Sequence, residues 1–266
     1  MTIGRVFGHE LTVIRRTAVG KFLVALSLVG ALGGTLVGYG LSNDPLTGDF
    51  LAFSLWLVAG TVLPFGALLT SAVAIAADRE SGRLRLLFGT PVTRADVFVG
   101  TLLSRVAATC VSVGVGFALT VVVVSLFSVE ATRGILRLAT FTLLFCVVYT
   151  TVGTVISAIS PTRLRAIGLA LVFYVWSAMW PQIVGILVGP NRSPPGPPTS
   201  AERLTHFVGT LSPFGAYSQV VTPARAIYAE SVAGSLLATP TMLLILVTWA
   251  VVPVPIGYWW LSRIDL

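Results

Sequence analysis

Six times along its 266 residues the chain runs apolar for about as long as a helix needs to cross a bilayer core: at 22–41, 51–77, 97–128, 135–160, 166–189 and 236–261. That repetition constrains the fold more than any other feature. In hydrocarbon every backbone N–H and C=O must find its partner within the protein, and for separate runs of this length that means helices. Charged residues make up only 10% of the chain and its mean hydropathy is +0.93, whereas a soluble domain is about one quarter charged. The sequence predicts an all-α polytopic membrane protein, one domain over 1–266 with six transmembrane helices. The second and third runs exceed what a bilayer requires, so they tilt or project beyond it.

The flanking residues give an orientation. Residues 3–21 carry Val6, Phe7, Leu11 and Ile14 at helical spacing, with Arg5, Glu10, Arg15 and Arg16 as the polar side. This predicts an N-terminal amphipathic interfacial helix in the headgroup region rather than a span. No small-residue cleavage site follows a short apolar region, so no cleavable signal peptide is expected. With six crossings, one side holds Arg5, Arg15, Arg16, Lys21, Arg79, Arg83, Arg85, Arg94, Arg105, Arg163, Arg165 and Arg263. The other holds Arg133, Arg137, Arg192, Arg203 and Arg225. Twelve basic residues against five place both termini in the cytoplasm of a cell-membrane protein. The net charge of +7 then reflects cytoplasmic loops, with membrane lipid and not nucleic acid as the surrounding partner.

Between the fifth and sixth runs the connection opens with PNRSPPGPP, whose prolines exclude helix. Ser200 to Thr210, and Ser212-Pro213 through Val221, read as short outer-face helices. Arg225 and Glu230 are placed to pair before the last span. Pro253 and Pro255 should kink or open that span. In the first span Gly30, Gly33, Gly34 and Gly38 permit close helix packing, within one protomer or between two. Tyr174, Trp176, Trp180, Tyr258, Trp259 and Trp260 read as membrane anchors or packing, and Trp176 with Trp180 alternatively as a cavity lining.

Asp78 to Arg105 is a compact, Arg-rich insert between two apolar runs. Glu80 to Phe88 predicts a short helix, with Leu84, Leu86 and Leu87 against Arg79, Glu80, Arg83 and Arg85. Gly89-Thr90-Pro91 ends it. Thr93 can cap the next helix, Asp96 three residues on can return the bond, and Val92 and Val97 flank the cap as a staple. A helix tethered so tightly on one membrane face can pass force between a soluble partner and the spans. On its residues alone the insert reads equally as an ordinary positive-inside loop.

Catalytic and metal chemistry find little support. The chain contains no G-x-x-x-x-G-K-[ST] phosphate loop. Cys110 and Cys146 lie in apolar runs and read as buried small hydrophobes. His9 and His206 are not placed to activate an intramembrane serine. No His, Cys, Met or acidic cluster shares a span. Arg105, about three turns into its helix, is expected to snorkel back toward the cytoplasm.

Glu80-Ser81-Gly82, Leu84, Leu86-Leu87, Pro91-Val92-Thr93-Arg94 and Gly100 resemble the signature of ABC-2-type transporter permeases, most closely the NosY-like group. His9-Glu10-Leu11 with Arg15-Arg16 is similar to the family's entry helix. Ser157 to Ala166 is similar to its second cytoplasmic connection, and Ser212-Pro213 with Ala216-Tyr217 to its outer segment. Arg83 stands where Thr is common and Thr101 where Lys is common. The resemblance implies six helices, a permease homodimer and two cytoplasmic ABC ATPase subunits that bind ATP and magnesium, with no cofactor in this chain. It makes the insert a coupling helix between the second and third spans. Glu80, Arg83, Arg85 and Arg94 would then make polar contacts with the ATPase, Leu84, Leu87 and Phe88 would fill its groove, and Pro91 would belong to the same surface. The NosY-like form adds an extracytoplasmic accessory protein and the maturation of the copper enzyme nitrous-oxide reductase. A stand-alone secondary transporter or channel, and a non-transporting assembly scaffold, are the alternatives.

Overall fold

A computed structural model describes residues 3–16, 18–41, 48–89, 92–125, 129–188, 200–221 and 238–263. Among the described residues every regular element is helical. In chain order these are α1 (Ile3–Arg16), α2 (Ala18–Leu41), α3 (Gly48–Ala72), α4 (Ala74–Glu80), α5 (Arg83–Phe88) and α6 (Arg94–Ser125). They continue as α7 (Val129–Ile159), α8 (Arg163–Val188), α9 (Ser200–Gly209), α10 (Pro213–Val221), α11 (Thr239–Val251) and α12 (Pro253–Arg263). Among the described residues five stretches are long and apolar enough to cross a membrane: Phe53–Glu80, Arg94–Ser125, Ile135–Ile159, Arg163–Leu187 and Thr239–Arg263. The pair Val6–Arg16 and Gly20–Leu36, bent by 65°, makes a sixth if counted as one. The proline-rich PNRSPPGPP segment, Pro91 and the Arg225–Glu230 pair lie outside the described residues.

The centre of the bundle is α7, which packs on α3, α6, α10, α11 and α12. In its most apolar window 78% of residues are buried, against 17% in α8 and 17% in the α11–α12 span, so those two turn most of their apolar surface outward. Around α7 the interior is tied by hydroxyls. Tyr149 donates to Ser177 Oγ on α8 at 2.9 Å, Thr142 and the Tyr217 hydroxyl of α10 bond at 2.7 Å, and Thr109 of α6 bonds Thr150 at 3.1 Å. Such interhelical bonds contribute about 0.6 kcal/mol each in membrane bundles. Tyr217 is wholly buried and stacks on Phe145 at 4.3 Å, so α10 is part of the core rather than a surface segment.

Local sequence explains several junctions. Pro253 has no N–H to give the Trp249 carbonyl, so α11 ends at Val251 and α12 restarts with proline at its first position. Of the two packing options for the first span's glycines, Gly34 serves the protomer itself. A Cβ there would stand 2.9 Å from Leu55 Cα, so its absence lets α2 close on α3. Trp176 and Trp180 both make packing contacts. Trp176 meets Trp249 at 5.9 Å, and Trp180 Nε1 donates to the Val208 carbonyl at 2.8 Å.

Candidate functional site

One end of the bundle gathers α1, α4, α5, the starts of α6 and α8 and the end of α12. The polypeptide reaches α5 through a break at Ser81-Gly82. Gly82 takes φ 74°, a left-handed conformation that a side chain resists, and its N–H bonds the Arg79 carbonyl at 3.1 Å, closing α4. The expected helix from Glu80 to Phe88 is therefore two pieces. Glu80 ends the α3–α4 rod, and α5 begins at Arg83. At the other side of the turn Thr93 and Asp96 form the expected cap. Asp96 Oδ2 accepts from the Thr93 N–H at 3.0 Å and hydroxyl at 2.7 Å, and Thr93 Oγ1 accepts from the Asp96 N–H at 3.1 Å.

The charged residues of the insert are held mostly by the rest of the protein. Arg83 faces inward: Nη1 is 3.3 Å from Asp78 Oδ1, Nη2 is 3.6 Å from Glu10 Oε1 and 3.0 Å from His9 Nε2. A guanidinium only donates, so His9 Nε2 accepts there. Glu10 was expected on the polar, outward side of α1. It is 7% exposed instead, turned toward α5 and α6. Arg105 also departs from expectation. It is 8% exposed, does not snorkel into solvent, and sits within the fields of Glu10 and Asp78, with no hydrogen-bond partner for Nε or Nη1 among the described residues. Two carboxylates and two guanidiniums thus balance beneath α1, as buried charge requires. Gly100 allows this closeness, because a Cβ there would stand 2.7 Å from Val6 Cγ1 of α1.

The remaining site residues divide by exposure. Glu80 Oε2 accepts from the free N–H of Arg163 at 2.8 Å, a carboxylate capping the start of α8. Arg94 Nη1 donates to the carbonyls of Leu261 at 3.1 Å and Ser262 at 2.7 Å, binding the end of α12, and its guanidinium lies 5.8 Å over the Phe88 ring. Leu84 was expected to fill a partner's groove; it is 1% exposed and packs with Ile75, Val97, Phe98 and Leu261. Leu87 and Phe88 are half-buried against the same cluster, and Arg85 is exposed. The residue that sequence reasoning left out is Leu86, 77% exposed at the tip of α5. A signal for it existed, since consecutive leucines at 86 and 87 cannot both face inward on a helix. Leu164, at the start of α8, is 79% exposed at the same end.

A family model described as ABC-2 family transporter protein matches residues 41–266. The chain belongs to the ABC-2 transporter family. It is a multi-pass membrane transport subunit, and membership implies an ABC ATPase partner. No curated protein matches the chain significantly. In this ABC-2 protein the matched region includes α5, the capped start of α6 and the α8 connection, while α1 precedes it.

Proposed function

We propose that this chain is the permease subunit of an ATP-driven transporter. Two copies enclose a path through the cell membrane, and a separate cytoplasmic ATPase holds ATP and magnesium. In this reading there are six crossings, α1 lies along the cytoplasmic surface, and both termini are cytoplasmic. The observation that carries it is the disposition of α5: Leu86 stands out of the bundle while Leu84 beside it is locked into the core. Leu86 and Leu164, 77% and 79% exposed at the same end of the bundle, are the apolar side chains offered there to a protein partner.

Arg85 and Leu86 meet the ATPase first, with the outer edges of Leu87 and Phe88, and the motif resemblance assigns Pro91 to the same contact. Glu80, Arg83 and Arg94 act behind that surface. When ATP draws the ATPase halves together, α5 is displaced and its connections pull with it. Arg83 carries the displacement to α1 through Glu10, and Arg94 carries it to the last span through Leu261 and Ser262. Glu80 carries it to α8 through Arg163. An insert tied at three points, by Glu80 of α4, Arg83 of α5 and Arg94 of α6, moves rigid spans rather than bending alone, as two-state alternation of a path requires. The NosY-like specialisation, in nitrous-oxide reductase maturation with an extracytoplasmic accessory protein, is the narrower form of this proposal and rests on the motif resemblance.

The test is purification of the full chain from its native membrane under mild detergent. The proposal expects an ATPase subunit in equal amount, and substrate movement only with ATP. A chain that purifies without an ATPase and transports in proteoliposomes on its own would instead be a secondary transporter or channel.

A further inference from the structure

Where α1 turns into α2, a groove of about 590 Å³ opens between these helices and α6. That volume falls within the range of small-molecule sites. Its walls are apolar: Leu11 on α1, Val24 and Leu28 on α2, Val111 on α6. Val24 is 39% and Val111 64% exposed, so the groove is open along its side rather than enclosed. Two cations line it as well, Arg15 from the last turn of α1 and Lys21 from the first turns of α2. Among the described residues neither has an acidic partner. The acid of this part of α1, Glu10, is turned away toward Arg83.

We propose that this groove is a binding site for one anionic phospholipid of the leaflet that α1 lies on, an acyl chain between Leu28 and Val111 and the phosphate held by Arg15 and Lys21. The inference rests on α1 lying at the membrane surface and is independent of ATPase docking. Charge complementarity selects the occupant. An uncharged alkyl group would leave both cations unanswered, and a zwitterionic headgroup brings its own cation to them. A free phosphate satisfies the cations and leaves the apolar walls bare. Only an amphiphile with net negative charge matches both parts of the groove, and its geometry matches the boundary between headgroups and chains where an amphipathic helix meets a span. A cation near an anionic membrane surface favours such lipid by roughly fivefold.

The full-length protein in neutral detergent is titrated with phosphatidylglycerol and with phosphatidylcholine of the same chains, and bound lipid is counted by native mass spectrometry. The wild type should hold one phosphatidylglycerol at least about fivefold more tightly than phosphatidylcholine. Glycerol phosphate should not displace it. Arg15→Gln with Lys21→Gln should bring the two lipids within about twofold, while Arg85→Gln with Arg165→Gln should keep the preference. Val111→Trp, which fills the groove from its open side, should weaken both lipids. Because a variant can fail to fold, photoreactive phosphatidylglycerol on the wild type gives a second readout, and its adducts should map to 11–28 and 108–112. Equal binding of the two lipids, a preference indifferent to the double substitution, displacement by glycerol phosphate, or adducts only elsewhere would each overturn the proposal. So would ready disulfide dimers of Val24→Cys, which would make the groove an interface between copies of the chain.

Discussion

Arg83 of α5 lies 3.6 Å from Glu10 of α1, although 73 positions separate them in the chain. This pair, with Asp78 3.3 Å from the same guanidinium, fixes a helix of six residues that has too few turns to be stable alone. The arginine that the sequence offered as a contact for a partner is thereby an internal tie. What α5 leaves for a partner is its other side, Arg85 and Leu86.

The Glu10–Arg83 tie should be measurable as a coupling. In thermal unfolding of the detergent-solubilised protein, Glu10→Gln and Arg83→Gln should each destabilise. A double-mutant cycle should return about 1 kcal/mol, at the lower end for neighbours because Arg83 is 36% exposed. Additive losses would mean that the two side chains do not act together.

Ser157 of α7 should matter to a helix 82 positions before it. Its Oγ accepts from the N–H groups of Ile75 at 2.8 Å and Ala76 at 2.9 Å, where α4 begins with Val73 at its cap and no local side chain to serve. Ser157→Ala leaves those buried donors unserved, at a cost of about 1–3 kcal/mol. Amide exchange at Ile75 and Ala76 should accelerate ahead of the rest of α4, and unchanged exchange there would contradict the assignment.

Arg94→Ala should loosen the end of the last span. It removes both bonds to the Leu261 and Ser262 carbonyls, about 1 kcal/mol each for a charged donor at partly exposed acceptors. Protease access at Arg263 should rise while the capped start of α6, held by Thr93 and Asp96, keeps its protection. Equal loosening of both ends would show that Arg94 acts through α6 instead.

The two leucines of α5 should part company. Leu84→Asp puts a carboxylate into a site 1% exposed and should cost more than ~3 kcal/mol or prevent assembly of the fold. Leu86→Asp, at 77% exposure, should unfold within about 0.5 kcal/mol of the wild type. Similar losses for both would place Leu86 in a packed environment that the structure does not give it.

What the sequence could reveal followed from range. The Thr93–Asp96 cap, the short helices at Ser200–Gly209 and Pro213–Val221 and the proline restart of α12 depend on residues within a turn or two of each other. Those were legible because capping and proline chemistry are local. Glu10 and Arg105 were misjudged for the opposite reason. Their partners arrive from α1, α4 and α5, and an isolated helix pattern assigns any carboxylate on α1 to water. Leu84 and Leu86 lie in a helix of under two turns, too short for periodicity to say which face is inside. The cluster of Ile75, Val97, Phe98 and Leu261 made that choice. The exposed sides of α8 and the last span were equally hidden, since an apolar side chain reads the same whether it meets lipid or protein.

The central claim is that α5 passes force from an ATPase through an exposed tip backed by ties to α1, α8 and the last span. Its most direct test is ATP hydrolysis by the partner ATPase reconstituted with the permease in liposomes, comparing wild type with Leu86→Asp and matching the amount of folded permease. The account predicts that Leu86→Asp brings the rate down to that of the ATPase without permease, with the variant still folded in the membrane. Full stimulation by Leu86→Asp would contradict it.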